Sequence, residues 1–257
     1  MNILSLMTQR PDGVIETLAE RDQMVEGNPV NYFHNGVAAL GNIRIALAAA
    51  GVDEVRSVLD FPCGYGRVLR MLKAAFPTAD IVSCDLDREA VDFCREVFDV
   101  EGLYATPDPR DLRIESEFDL VWCGSLLTHM PAERWPVFLE FFASHMAPGG
   151  VLVFTTHGRR IAGWLRDMVV GQDGPHERKP AYNLLRHEIL QLLEDLGREG
   201  FGYQGYPARE EEYGFSLSGP DWVVRRVLET QSLRLLMLAE SGWAGQQDIV
   251  ACVKRDG

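Results

Sequence analysis

The stretch Val58-Leu59-Asp60-Phe61-Pro62-Cys63-Gly64-Tyr65-Gly66-Arg67-Val68 decides how the rest of the chain folds. Ser57-Val58-Leu59 follows the charged Asp53-Glu54-Val55-Arg56 and reads as a buried strand. Two glycines then turn the chain, and Val68, Leu69, Leu72, Ala75 and Phe76 recur at helical spacing. Strand, glycine turn and helix make the nucleotide-binding start of a doubly wound α/β sheet. Glycine lets the backbone turn sharply and come close to a ligand. The N–H groups at the start of the helix can hold that ligand's polar groups.

The turn lacks the G-x-G-x-x-G of a dinucleotide site. It carries Asp60-x-x-Cys63-Gly64-x-Gly66 instead. A carboxylate there is a poor neighbour for a pyrophosphate and suits a ligand with an ammonium group. In this the stretch resembles motif I of the class I S-adenosylmethionine (SAM) methyltransferases, usually D-x-G-x-G-x-G. The resemblance implies that Asp60, Phe61, Cys63, Gly64 and Gly66 line the site at the methionine end of SAM. Pro62 is a departure: it stands where the first glycine is usual and has no N–H to offer.

Ile81-Val82-Ser83-Cys84 reads as the second strand and ends in Asp85-Leu86-Asp87. An acidic residue at such a tip can accept both ribose hydroxyls. Asp85 follows the glycine loop by about 20 residues, the interval of a nucleotide fold. Asp85 and Leu86 are therefore candidate cofactor residues, and the two features together point to an adenosine-type ligand. A helix over 87–98 and a short strand over 103–105 follow. In the family, an acidic side chain after strand three reads the adenine amino group, and the next backbone N–H meets a ring nitrogen. Asp108 is one placement, although Pro109 cannot give that N–H; Asp111-Leu112 is the rival.

Phe118-Asp119-Leu120-Val121-Trp122-Cys123 reads as strand four, with Gly124-Ser125-Leu126-Leu127-Thr128-His129-Met130-Pro131 after it. This resembles the family's motif IV region, where strand end and loop lie beside the sulfonium, and so implies Cys123 and Ser125 as cofactor contacts. A helix over 131–146 leads to Ala147-Pro148-Gly149-Gly150, the turn expected before strand five at 151–156. The resemblance covers residues 57–156, four weak motifs in the right order.

It implies a mostly parallel seven-stranded sheet with a reversed last strand, helices on both faces and a helical lid. Four regions are expected: an N-terminal helical cap (1–51), a SAM-binding core (52–157), a substrate insertion or lid (158–220), and a last helix with a C-terminal hairpin (221–257). Helices are expected over 13–25, up to Gly51, over 159–168, over 181–198 and over 221–231. The closing hairpin is expected around Ser241-Gly242-Trp243. Tyr32 either touches the methionine end or packs its helix onto the sheet.

The chain has 257 residues, enough for one α/β domain with an elaborated lid, and 46% hydrophobic residues support a sizeable core. A formal net charge of -13 weighs against a nucleic-acid partner, because phosphate binding draws on clustered Lys and Arg. The five cysteines form no C-x-x-C pair, so a metal site is not expected and free thiols fit a cytoplasmic protein. No apolar run approaches membrane-spanning length. Oligomeric state is left open.

SAM already carries an electrophilic methyl, so the enzyme must align an acceptor in line with the sulfur. Alignment alone can supply ~7–11 kcal/mol. A general base adds about 10²–10⁴-fold. His129 and His157 each follow a strand at its carboxyl end, where ligands bind, and titrate near neutrality. His176-Glu177 is a third option. The expectation is a SAM-dependent methyltransferase acting on a small molecule, at oxygen rather than nitrogen. The alternatives are a protein or RNA methyltransferase, a SAM-binding protein without transferase activity, and an NAD-dependent dehydrogenase, which the missing third glycine disfavours.

Overall fold

The computed structural model describes residues 8–25, 28–170, 184–206 and 213–255. Its helices are α1 (Pro29–Ala50), α2 (Leu69–Ala75), α3 (Arg88–Phe98), α4 (Arg134–Ser144), α5 (Arg159–Val170), α6 (Arg186–Glu199) and α7 (Pro220–Glu229). Its strands are β1 (Ser57–Asp60), β2 (Asp80–Asp85), β3 (Glu101–Tyr104), β4 (Phe118–Cys123), β5 (Met146–Thr156), β6 (Phe201–Gly205), β7 (Gly214–Ser218), β8 (Leu233–Trp243) and β9 (Gln247–Lys254).

Alternation along the central strands sets the layers. Val58, Ile81, Leu120, Val153 and Ala251 pack on one face with Ile43 of α1, Leu72 of α2 and Val91 of α3. Their neighbours Leu59, Val82, Val121, Phe154 and Val250 pack on the other with Leu139 of α4 and Trp222 of α7. Both faces are covered, as a parallel sheet requires. The order is β3-β2-β1-β4-β5-β9-β8. Pairing is parallel from β3 to β5, while β9 runs antiparallel to both β5 and β8. The chain leaves β1 for β2 on one side and returns to β4 on the other, so the topological switch lies outside the carboxyl ends of β1 and β4.

Helix α1 starts at Asn28, whose side chain accepts from the Asn31 N–H at 3.2 Å, and stops at Gly51 with φ 75°. Buried Asn42 fastens it to the far edge by donating to the Gly242 carbonyl at 2.9 Å.

Several elements differ from expectation. The helix expected over 13–25 does not form; residues 14–19 run without helix or strand, before a 3-10 turn at Gln23–Val25. The carbonyls of Ile15 and Thr17 go to the Arg70 guanidinium at 2.7 and 3.0 Å, not to a helical ladder. Ala147-Pro148-Gly149-Gly150 belongs to β5, not to a turn before it. Phe118 pairs with Met146 and Leu120 with Val151, so the extra residues bulge, with Gly149 at φ 72°. The closing turn falls after Trp243, at Ala244 (φ 50°) and Gly245 (φ 72°).

Glycine- and aromatic-rich segments 201–207 and 213–218 supply an element that periodicity did not reveal. β6 and β7 pair antiparallel as a separate two-stranded sheet. Phe215 and Leu217 of β7, Leu165 of α5 and Ile189 of α6 form a satellite core. Residues 171–183 and 207–212 lie outside the described residues, and with them the expected break at 171–175, His176-Glu177 and the start of the helix expected from 181. No described helix is long and apolar enough to cross a membrane.

Candidate active site

Strand β1 ends in a carboxylate, Asp60, at the topological switch between β2 and β4. Asp60 is 1% exposed, and both of its carboxylate oxygens are buried with no hydrogen-bond partner in the protein. Burial, and then the nearby Asp85 carboxylate, hold its carboxyl well above the usual range. An unpartnered buried carboxylate is costly unless a cation completes it.

Beyond Asp60 the loop folds onto its neighbours. Phe61 donates its N–H to the Trp122 carbonyl at 3.0 Å, and its ring meets Phe138, Phe141 and Phe142 edge-on. The Phe61–Pro62 peptide is cis. Cys63 donates its N–H to the Cys84 carbonyl at 2.9 Å. Gly64 has φ 48°, and a side chain there would project into open space. Gly66 has φ 79°, and a Cβ would lie 2.4 Å from the Phe98 ring, so only glycine fits.

Asp85 Oδ2 accepts from the Gly64 N–H at 2.8 Å, and its Oδ1 accepts from the Asp87 N–H at 3.0 Å. Each oxygen keeps acceptor capacity for a ribose hydroxyl. Burial raises the Asp85 carboxyl, while these two N–H groups pull it back. Leu86 follows and is 47% exposed. Asp85→Ala is expected to weaken SAM binding by about 1–3 kcal/mol through lost hydrogen bonds. Unchanged affinity in titration calorimetry would place the ribose elsewhere.

Asp108 is engaged otherwise. It caps a 3-10 turn at Pro109–Asp111 and holds the Arg110 Nε at 2.9 Å, with Arg134 3.8 Å away. These guanidiniums hold its carboxyl well below the usual range. Its charge is thus matched by arginine. The Asp111 N–H bonds the Asp108 carbonyl at 3.0 Å.

At the end of β4, Cys123 is buried, and burial pushes its thiol up. Ser125 takes φ 58°, an uncommon conformation for a serine, while its N–H donates to Thr155 Oγ1 at 2.8 Å. Gln247, at the start of β9, donates to Ser125 Oγ at 2.9 Å and lies 3.5 Å from His157 Nε2. Sequence reasoning missed Gln247; no motif marks a strand's first residue.

His129 closes a 3-10 turn at Leu127–His129 and donates its Nδ1–H to the Gly214 carbonyl of β7 at 2.7 Å. That bond fixes the tautomer and leaves Nε2 as the acceptor in the neutral ring. Tyr213 stacks on the ring at 4.7 Å, and the Tyr206 ring lies at 6.0 Å. His157 is 6.1 Å from His129 by ring centroids and stacks on Phe215 at 4.5 Å. Its Nδ1–H donates to the Ser216 carbonyl at 3.3 Å. Burial, followed by the proximity of His129, lowers its pKa to about 3. A ring this buried, its nitrogens facing Ser216 and Gln247, is a weak base suited to bracing. Tyr32 is 1% exposed and donates its hydroxyl to the Tyr65 carbonyl at 3.4 Å, behind the glycine loop.

All five cysteines are buried as free thiols. The donor set at the switch, one unpaired carboxylate followed by one at a strand tip, fits a ligand with a cationic end and a ribose.

Residues 58–150 match the methyltransferase domain family. No curated protein matches the chain by sequence. Solved structures share the fold at low identity. A SAM-dependent methyltransferase from Clostridium acetobutylicum is 14% identical, covering 92% of this chain and 96% of its own, with a TM-score of 0.59. Streptomyces venezuelae DesVI is 15% identical, covering 93% and 99%, with a TM-score of 0.60. The glycopeptide N-methyltransferase MtfA, solved with SAM, is 17% identical, covering 83% and 87%, with a TM-score of 0.52. The matched residues, 58–150, hold both Asp60 and Asp85, and the sheet around them has the Rossmann-like fold of those solved methyltransferases.

Proposed function

We propose that this methyltransferase moves the methyl of SAM to a hydroxyl oxygen of a small molecule. The observation that carries the cofactor assignment to particular residues is Asp60, buried with both oxygens unpartnered. SAM brings an ammonium and a sulfonium to that site. Asp60 faces the cationic methionine end, Asp85 the ribose hydroxyls and Leu86 the adenine face. Cys63 and Gly64 supply the turn against the methionine moiety, and Cys123 and Ser125 flank the sulfur.

The acceptor then lies between the ends of β4 and β5 and the β6–β7 sheet, beside His129, Tyr206 and Tyr213. His129 Nε2 takes the acceptor proton as the oxygen attacks the methyl, while the Gly214 carbonyl supports the imidazolium through Nδ1–H. His157, Gln247 and Ser125 hold the site's shape from below. Residues 52–157 form the cofactor core and 158–220 the substrate-contacting region. A chain with net charge -13 offers a nucleic acid little attraction.

Isotopically labelled SAM, given with separated metabolite, protein and RNA fractions, tests the acceptor class. Label in a small molecule as a methyl ether or ester is expected. Label confined to protein or RNA, or carried on nitrogen, would overturn the proposal.

A further inference from the structure

Arg70, in the first turn of α2, is 1% exposed, and its neighbours make an unusual set for a buried guanidinium. Nε donates to the Gly66 carbonyl at 2.9 Å. Nη1 donates to the carbonyls of Ile15 at 2.7 Å and Thr17 at 3.0 Å. Nη2 donates to the Tyr65 carbonyl at 3.3 Å and the Tyr32 hydroxyl at 3.4 Å. Five N–H groups thus meet five oxygens, the full capacity of the fork. Rings of Tyr32, Phe33 and Phe98 surround it at 5.2, 5.5 and 5.1 Å, a cage that favours a cation.

Two of those oxygens belong to the glycine loop and two to the N-terminal segment 14–19. That segment has no helical or strand ladder of its own. The loop's other side is the face that Gly64 leaves open. One side chain therefore fixes the loop from behind and docks the segment at the same time.

We infer that Arg70 is a positioning residue that makes N-terminal segment 14–19 part of the SAM-binding machinery. The inference rests on the reading that the 60–66 loop holds SAM. Coupling of this kind is reciprocal. SAM that orders the loop also tightens the docking of residues 14–19, and loosening that docking weakens SAM. A lysine cannot replace the fork, because a point charge with three donors cannot span five acceptors in a plane. Arg70 touches neither reacting atom, so its effect should fall on cofactor affinity, with the acceptor's KM spared.

The test uses the full chain, with Arg70→Lys, Arg70→Met and, as the milder change, Tyr32→Phe. Titration calorimetry with SAM should show Kd raised about tenfold or more in Arg70→Lys and a few-fold in Tyr32→Phe. Hydrogen exchange on the unmodified protein should show slower exchange at residues 14–18 when SAM is added. In the Arg70 variants that SAM-dependent protection should be lost. Folded Arg70→Lys with unchanged SAM affinity, or no SAM-dependent protection in the unmodified protein, would overturn the inference. Should Arg70→Lys and Arg70→Met both fail to fold, Tyr32→Phe and the exchange measurement decide the matter. Asp60→Asn in the same titration separates the two readings: if it too leaves SAM affinity unchanged, the assignment of the loop itself has failed.

Discussion

Asp60→Asn is expected to move two observables in opposite directions. SAM affinity should fall by about 2–4 kcal/mol, at least ~30-fold, because the variant removes one partner of a buried charge pair. The ligand-free protein should gain about 1–3 kcal/mol, because a buried carboxylate with no partner is replaced by a neutral group of the same shape. A residue that only holds the fold would lower both.

The pH dependence gives a third readout. Burial raises the Asp60 carboxyl in the folded, ligand-free protein. The neutral carboxyl therefore costs nothing through ionisation below the unfolded value, about pH 4, and that penalty grows as pH rises towards the folded value. Stability of the ligand-free protein should fall across that window, and SAM should bind more tightly as Asp60 ionises. Asp60→Asn removes this slope, leaving the smaller one of the same sign from Asp85, whose carboxyl burial also raises. Thermal unfolding from about pH 4 upwards, with and without SAM, reads all of it. A variant destabilised without ligand, or one that binds SAM normally, contradicts the account.

His129→Asn is the second large effect. With a known acceptor, kcat should drop by about 100-fold or more while SAM affinity stays nearly unchanged. The acidic limb of the pH–rate profile should vanish with the titrating ring. Asparagine can still donate to the Gly214 carbonyl, which accepts from Nδ1 at 2.7 Å in the native protein, so the β7 contact is largely kept. If His129 only braces the β6–β7 sheet, melting temperature falls with rate and the limb persists. Either outcome is decisive, because proton transfer and bracing use different ring nitrogens.

The central half of the fold was legible because its signals are local. Val58-Leu59-Asp60, the glycines and the apolar stripe of α2 lie in one continuous stretch, 58–75, and Asp85 follows at nucleotide-fold spacing. The apolar run Phe118–Cys123 was read as a strand and is β4, with the same bounds. What failed to show was decided by distant partners. A helix is expected over 13–25, but Arg70, more than fifty residues on, takes the Ile15 and Thr17 carbonyls. β6 and β7 carry glycines and aromatics that pattern reading assigns to loops. They become strands because Phe215 and Leu217 have α5 and α6 to pack against.

The site divides the same way. Asp60 and Asp85 were readable from their motifs, and the structure brings the two carboxylates near enough to act on each other. Asp108 was readable as an acid after β3, but not its bidentate partner Arg110 two residues away. His129 and His157 looked equivalent in sequence. The structure separates them: His157 is 2% exposed with its pKa lowered to about 3, whereas His129 presents one ring edge to Gly214 and stacks on Tyr213. Burial of a single side chain depends on the cap that covers it, and the cap comes from residues sixty positions later. Gln247 joins Ser125 and His157 only because β9 lies beside β5 in the sheet.

The most direct measurement of the central claim is a pair of calorimetric titrations of the unmodified chain, one with SAM and one with NAD. An acidic, cation-seeking crevice predicts saturable, stoichiometric heat with SAM and none with NAD. Binding of NAD with no response to SAM would contradict it.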